Sequence, residues 1–297
     1  MSEPDLPFNW PAARQVTRKK PTNVSQVRQL SPFRYPGGKT WCVPEIRRWL
    51  LGLPRPAVFI EPFAGGAVAS LTAAAEDLAE RVMISEIDPD VAAVWDVLIH
   101  GKQADFQWLC SEILSFEMSR LSVERVLRFE SPSQRHRAFK AILKNRVSRG
   151  GILAKGASLM KDGENGRGLR SRWYPATLVA RLQTIRDFRS KINFSQEDAF
   201  GVIARHSSDA RAAFFIDPPY TAGGKRAGTR LYAHNHIDHR QLFNMLAQAK
   251  GPFLATYDDA NEIHELASSH GFRVAKIAMK STHHAVKNEL IITRELA

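Results

Sequence analysis

The chemistry-bearing residues of this chain stand at the ends of short apolar runs. Asp217-Pro218-Pro219-Tyr220 follows Phe214-Phe215-Ile216, which reads as a buried strand. Two prolines fix φ and remove two backbone donors, leaving rigid carbonyls pointing outward. Asp217 and the Pro218 carbonyl then make two acceptors at the carboxyl edge of a sheet, where α/β proteins bind ligands. Two rigid acceptors suit an exocyclic amine, which has two N–H groups to donate. Tyr220 adds a ring on which a planar base can stack. The plain alternative is a proline-rich turn capping a strand. An acid, a double proline and an aromatic together at one strand end favour amine chemistry.

A second group is Glu61-Pro62-Phe63-Ala64-Gly65-Gly66-Ala67, after a run ending at Ile60 and before an alanine-rich helix. Glycine at such a turn lets a ligand approach the backbone at a helix N-terminus. Glu86, twenty-one residues after Gly65, closes the next strand, where an acid accepts hydrogen bonds from a ribose diol. Gly37-Gly38-Lys39 lacks P-loop spacing, and the three spaced glycines of a dinucleotide site are absent. A cofactor with a ribose but no pyrophosphate fits better, and S-adenosylmethionine is the obvious one.

Other constellations are weaker. Cys42 and Cys110 follow Trp41 and Leu109, not the proline that usually precedes a cytosine-C5 nucleophile. His234, His236 and His239, like His283-His284, have no carboxylate or cysteine cluster beside them, so no metal is expected and solvated or DNA-facing rings are. Asp259, placed before Glu262, reads as a helix N-cap.

The elements that must position these groups follow a βαβ rhythm. A helix is expected over 40–51, a strand over 57–61 and an alanine-rich helix to about 80. A second strand covers 81–86, and Asp88-Pro89 starts a helix ending before Gly101. Residues 102–192 read as mostly helical, broken by a glycine-rich surface loop over 150–168. The α/β rhythm resumes with strands over 214–217 and 252–256, helices over 237–250 and 259–270, and two final strands pairing antiparallel over 272–279 and 288–293. The predicted fold is a Rossmann-like α/β sheet, mostly parallel and ending in an antiparallel pair, interrupted by a helical insertion.

Charge separates the parts. The 297 residues carry a net +12, and 125–191 hold 17 Lys/Arg against 4 Asp/Glu. The remainder is therefore nearly neutral. Such an insert suits a polyanion, and its clustering with glycines and Trp173-Tyr174 favours nucleic acid. No membrane-spanning run or signal layout is present, and two cysteines make no disulfide framework. The expectation is a soluble cytoplasmic protein. Residues 1–30, with four prolines and Arg18-Lys19-Lys20, read as a mobile basic arm.

Tyr35-Pro36-Gly37-Gly38-Lys39, Glu61-Pro62-Phe63-Ala64-Gly65 and Asp217-Pro218-Pro219-Tyr220, in that order and spacing, resemble the Dam-like DNA adenine-N6 methyltransferases. The resemblance covers roughly 31–295, with Leu143-Lys144-Asn145-Arg146 and Asn288-Glu289-Leu290-Ile291-Ile292. It implies a catalytic domain formed by 31–101 and 193–297 and a target-recognition insertion over 102–192. It implies an S-adenosylmethionine site at Tyr35, Gly38, Lys39, Glu61, Phe63, Gly65, Glu86, Ile87, Asp198, Phe200 and Asp217. It implies catalysis by Asp217, Pro218, Pro219 and Tyr220 on a flipped-out base of double-stranded DNA, as in DNA methylation and restriction-modification. DNA contacts are then expected from Asn145, Arg146, Arg149, Lys155, Lys161, Arg170 and Arg172. Two departures stand out. The family's Gly-x-Gly turn is Gly65-Gly66-Ala67 here. Its Tyr-x-Tyr-Asn-Gly segment is replaced by Ser148-Arg149-Gly150-Gly151-Ile152, so the GATC target does not carry over. Cytosine-N4 or RNA amino-methylation uses the same amine chemistry, and a non-catalytic DNA-binding protein of this fold is the reading from a different class.

Overall fold

The computed structural model describes residues 17–18, 22–34, 38–154, 156–161, 166–219, 237–280 and 286–294. Its centre is an eight-stranded sheet: β1 (Thr17–Arg18), β2 (Val58–Glu61), β3 (Arg81–Ser85), β4 (Ile192–Ser195), β5 (Ala212–Ile216), β6 (Phe253–Asp258), β7 (Arg273–Lys280) and β8 (Val286–Thr293). The spatial order is β1-β7-β8-β6-β5-β2-β3-β4, and β8 alone runs antiparallel to its neighbours. The chain builds outward through β2, β3 and β4, then returns to the centre and builds the other way through β5 and β6. This is a Rossmann-like doubly wound sheet whose order reverses between β2 and β5. The two last strands do pair antiparallel, as expected. However, β8 slots between β6 and β7, because the short return from β7 fills the gap that the β6–β7 crossover leaves open.

Strand alternation divides the core. Phe59, Val82, Ile84, Ala213 and Phe215 face one side, while Ile60, Met83, Phe214 and Ile216 face the other. Ala212–Ile216 is buried along its whole length, as a central parallel strand must be. The second face is covered by α8 (Ala199–His206), α9 (His239–Gln248) and α10 (Asn261–Ser269). Asp259 does not cap α10: Ala260 holds the N-cap position, and Asp259 instead meets His264 Nε2 at 2.7 Å and Lys276 Nζ at 2.9 Å. Those two partners satisfy the carboxylate better than one backbone N–H would.

The first face carries α1 (Val43–Leu51), α2 (Val68–Ala75) and α3 (Pro89–Ile99), together with the helices of the basic stretch: α4 (Gln103–Ser115), α5 (Arg120–Arg128), α6 (Gln134–Val147) and α7 (Pro175–Asp187). Phe106, Leu109, Ile142, Leu143, Leu182 and Ile185 join one continuous core with Trp95 and the strand residues. The helical insertion is therefore built into the wall of the sheet domain. Trp173 is buried in that core, 9% exposed, and only Tyr174 presents a ring outward. Parts of the stretch expected to be an arm, residues 1–30, are held to the body. Thr17–Arg18 pairs with β7, and Leu30 is buried. Among the described residues, no helix is long and apolar enough to cross a membrane.

Candidate active site

Parallel strands end on the same edge, so the loops after β5, β2, β3 and β4 lie side by side in that order. Asp217-Pro218-Pro219 follows β5, Glu61 ends β2, Glu86-Ile87 follows β3, and Asp198 and Phe200 follow β4. At 4.7–4.9 Å per strand the row spans about 14 Å. Four segments up to 156 residues apart in the chain thus become one edge, at the switch point where doubly wound sheets bind ligands.

Asp217 is the charged centre. Lys39 Nζ lies 2.9 Å from its Oδ1, and Thr256 Oγ1 donates to the same oxygen at 2.8 Å. Lys39 is carried by a short 3₁₀ turn, Lys39–Cys42, and is 5% exposed. Glu289, on β8, stands 3.8 Å from the same ammonium. The buried ammonium thus lies between two carboxylates, so each desolvated ion has an opposite neighbour. Asp217 keeps 23% of its side chain exposed, so the carboxylate is oriented from behind and open in front.

Thr256 and Glu289 were not expected from sequence. Thr256 hides in an apolar strand, where threonine reads as a β-former. Glu289 reads as a polar residue in a final strand, although it lies within the Asn288–Ile292 ending that carried the resemblance. Thr256→Val is expected to lower kcat about tenfold with little change in KM, with Thr256→Ser restoring it. Steady-state kinetics on the three proteins check this.

The turn after β2 is assembled mainly by the second strand and its helix. Gly65 N donates to Glu86 Oε2 at 2.8 Å, Asp88 N donates to Glu86 Oε1 at 2.9 Å, Ser85 Oγ donates to the Pro62 carbonyl, and Trp95 Nε1 donates to the Gly65 carbonyl. Gly65 has φ +45°, and Ala67 is left-handed at φ +48°, a conformation that costs a Cβ-bearing residue roughly 1 kcal/mol or more. The turn thus keeps its left-handed backbone without the family's second glycine. Burial pushes the Glu86 carboxyl up to about 7, against the pull of backbone N–H groups from Asp88, Gly65 and Ile87. Asp88 spends Oδ1 on Asp90 N and Val91 N at the start of α3. Ile87 is 42% exposed beside it, an apolar surface of the kind a flat ring covers. Asp198 caps α8 by accepting from Phe200 N at 3.0 Å.

Glu61 points inward. Its Oε2 accepts from Ser70 N at 2.7 Å, in the first turn of α2, and burial with the nearby Asp217 charge pushes its carboxyl up to about 8. In the unfolded chain it ionises near 4.5. Stability from this group is therefore full below pH 4.5 and is lost as pH rises through 8. Glu61→Gln keeps the acceptor and removes the charge. It is expected to flatten the decline, stabilising the protein by on the order of 3 kcal/mol at pH 9 and little at pH 5. Urea midpoints at the two pH values check this; Glu86 and Asp90, whose shifts have the same sign, contribute to the residual slope. Cys42 is excluded as a nucleophile, since burial pushes its thiol well up and keeps it neutral.

Several expected DNA contacts are corrected. Asn145 is fully buried: its Oδ1 accepts from Arg34 N at 2.8 Å, and its Nδ2 donates to the Arg34 carbonyl at 3.2 Å and the Gly151 carbonyl at 2.7 Å. Arg146 is 4% exposed and donates to the Pro32 carbonyl at 2.5 Å. Both lie on the inward face of α6 because the segment 31–34 packs over them. Arg170 spends Nε and one terminal nitrogen on the Met118 carbonyl. Arg149, Lys161 and the Arg170 residue as a whole are exposed, and Arg172 is half-buried. His239 is buried against the Tyr257 hydroxyl at 3.3 Å, not solvated. Tyr35, Lys155, Tyr220, His234, His236, His283 and His284 lie outside the described residues.

The fold is a doubly wound α/β sheet, and the row of groups along its switch point is a candidate ligand site beside an oriented carboxylate. No family model and no curated protein matches the chain. Among solved structures, it is similar to a SAM-dependent methyltransferase from Agrobacterium tumefaciens, at 15% identity and TM-score 0.40 over 86% of this chain and 61% of that one. The chain therefore spans less than two thirds of that protein. It is similar to the rRNA methyltransferase aviRa from Streptomyces viridochromogenes, at 14% identity and TM-score 0.36 over 92% and 90%. It is also similar to a precorrin-6y C5,15-methyltransferase from Geobacter metallireducens, at 10% and 0.33 over 84% and 85%.

Proposed function

We propose that this chain is an S-adenosylmethionine-dependent methyltransferase acting on adenine N6 in double-stranded DNA. The observation that carries the reading is the Asp217 carboxylate, oriented by Lys39 and Thr256 at the switch point, one strand from the turn that joins Gly65 to Glu86. The residues present fit the cofactor: Glu86 for the ribose hydroxyls, Ile87 and Phe200 for the adenine faces, Asp198 at the adenine edge, and Gly65 where the backbone must be approached. Bound there, S-adenosylmethionine supplies a sulfonium methyl, an electrophile.

The chain's own residues do the rest. An adenine amine is conjugated with its ring and nucleophilic only once its lone pair is freed. The Asp217 carboxylate and the Pro218 carbonyl accept its two N–H groups and turn the lone pair toward the methyl. Lys39 and Thr256 hold the carboxylate in place from behind, so little reorganisation is needed during the reaction. The amine is out of reach in a duplex, so the base is extruded, at a cost of a few kcal/mol that stacking offsets. Modification sequencing of DNA from cells expressing the chain, with the Asp217→Asn variant as control, tests the reading. N6-methyladenine at a repeated motif is the expected result. N4-methylcytosine moves the substrate and keeps the mechanism, a mark confined to RNA overturns the DNA assignment, and failure to bind S-adenosylmethionine overturns the enzyme.

A further inference from the structure

Gly65 is fixed at both of its backbone polar groups by side chains of one β3–α3 unit. Its N–H donates to Glu86 Oε2 at 2.8 Å, and its carbonyl accepts from Trp95 Nε1 at 3.0 Å. Trp95 is fully buried in α3, and the start of that helix is tied to Glu86 through the Asp88 N–H. A buried indole does not find an acceptor automatically in this chain: Trp41 Nε1 and Trp173 Nε1 have none among the described residues. No peptide bond among the described residues is cis, so the N–H of each peptide points opposite to its carbonyl. With the Gly65 carbonyl turned toward Trp95, the Gly66 N–H points away from it. Gly66 is half-buried, and among the described residues no protein acceptor takes that N–H. Strain lies one residue further on. Ala67 is buried and left-handed at φ +48°, a conformation that a residue with a Cβ leaves unless its surroundings hold it.

Resting on the function proposed above, we propose that Trp95 is a positioning residue for the cofactor: its indole N–H holds the turn in the left-handed form that Ala67 resists, and so presents the Gly66 N–H to bound S-adenosylmethionine. Trp95 acts through the peptide joining Gly65 to Gly66 and does not touch the ligand. A glycine at position 67 would need no such support, because it adopts positive φ without a steric cost. The indole thus does for Gly65-Gly66-Ala67 what a second glycine does in the Gly-x-Gly turn that it resembles.

The test is calorimetric titration of S-adenosylmethionine into the full chain and its Trp95→Phe, Ala67→Gly, doubly substituted and Trp49→Phe variants. Trp95→Phe keeps a ring, loses the N–H, and is expected to weaken binding about tenfold. Adding Ala67→Gly to it is expected to bring affinity back to within about threefold of wild type, whereas Ala67→Gly alone tightens binding about twofold or less. Trp49→Phe removes a second indole, packed in α1 against Phe59, and is expected to lower Tm while affinity stays within about twofold. In the wild-type chain, the Gly66 amide resonance is expected to shift when S-adenosylmethionine is added. An unmoved resonance, a Trp95→Phe variant that binds like wild type, a loss that Ala67→Gly does not recover, or one that Trp49→Phe reproduces each overturns the role of Trp95 and leaves the methyltransferase reading standing. A wild-type chain that takes up no S-adenosylmethionine overturns both.

Discussion

Replacing Asp217 with asparagine is expected to lower kcat at least a thousandfold while the heat-shift produced by S-adenosylmethionine persists. Asparagine keeps an oxygen for Lys39 and Thr256, so the contacts that orient the group survive. What disappears is the negative charge against which a developing positive charge on the amine is stabilised, and oriented charges of this kind commonly contribute several kcal/mol to the barrier. Alanine is the poorer test. It removes the acceptor oxygen as well as the charge, so the buried Lys39 ammonium and the Thr256 hydroxyl both lose a contact that asparagine keeps. Lost activity would then mix chemistry with folding. Single-turnover rates of the asparagine variant decide the matter, and a rate within tenfold of wild type removes Asp217 from the mechanism.

The second large effect is on stability. Asn145→Ala removes one acceptor and two donors from a buried bridge and leaves the Arg34 N–H, the Arg34 carbonyl and the Gly151 carbonyl without those partners. Each costs about 1 kcal/mol, so a loss of ~3 kcal/mol and a Tm lower by roughly 6 to 12 °C are expected. The bridge admits no easy repair. A Cβ on Gly151, at φ +76°, would stand 2.1 Å from the Arg34 carbonyl oxygen, so the two loops are already as close as the backbone permits. Calorimetry with duplex titration separates this role from a DNA contact. A residue touching DNA loses affinity at constant Tm, whereas a clamp loses Tm first.

Asn145 also shows where sequence reading runs out. Its neighbours Lys144, Arg146 and Arg149 make the stretch look like a uniform basic surface. Helical geometry turns Asn145 and Arg146 inward, toward a loop more than a hundred positions away in the chain. Composition reports how much charge a segment carries, not which face carries it. Trp173 misleads for the same reason: an aromatic among arginines reads as a stacking platform, yet it fills the core beside Phe116 and Phe139. The arm shows the complement, since two residues in a basic, proline-rich tail extend the sheet through backbone hydrogen bonds that no side-chain pattern announces.

Six of the strands, the helices between them, the Asp88-Pro89 helix start and the candidate groups at Glu61, Glu86 and Asp217 were legible in the sequence, because each depends on local pattern: period, caps, and turn residues after an apolar run. Strands β1 and β4 and helix α8 were not expected, and Asp198 came only with the family resemblance. Tertiary structure alone decided that those four stand in one row, that β8 enters between β6 and β7 to bring Glu289 toward Lys39, that Thr256 holds Asp217, and that the basic insertion is part of the wall rather than a separate module. Those facts depend on which strands become neighbours and which helix faces are buried. They follow from burial across the whole chain, whose free energy is shared among residues far apart in sequence.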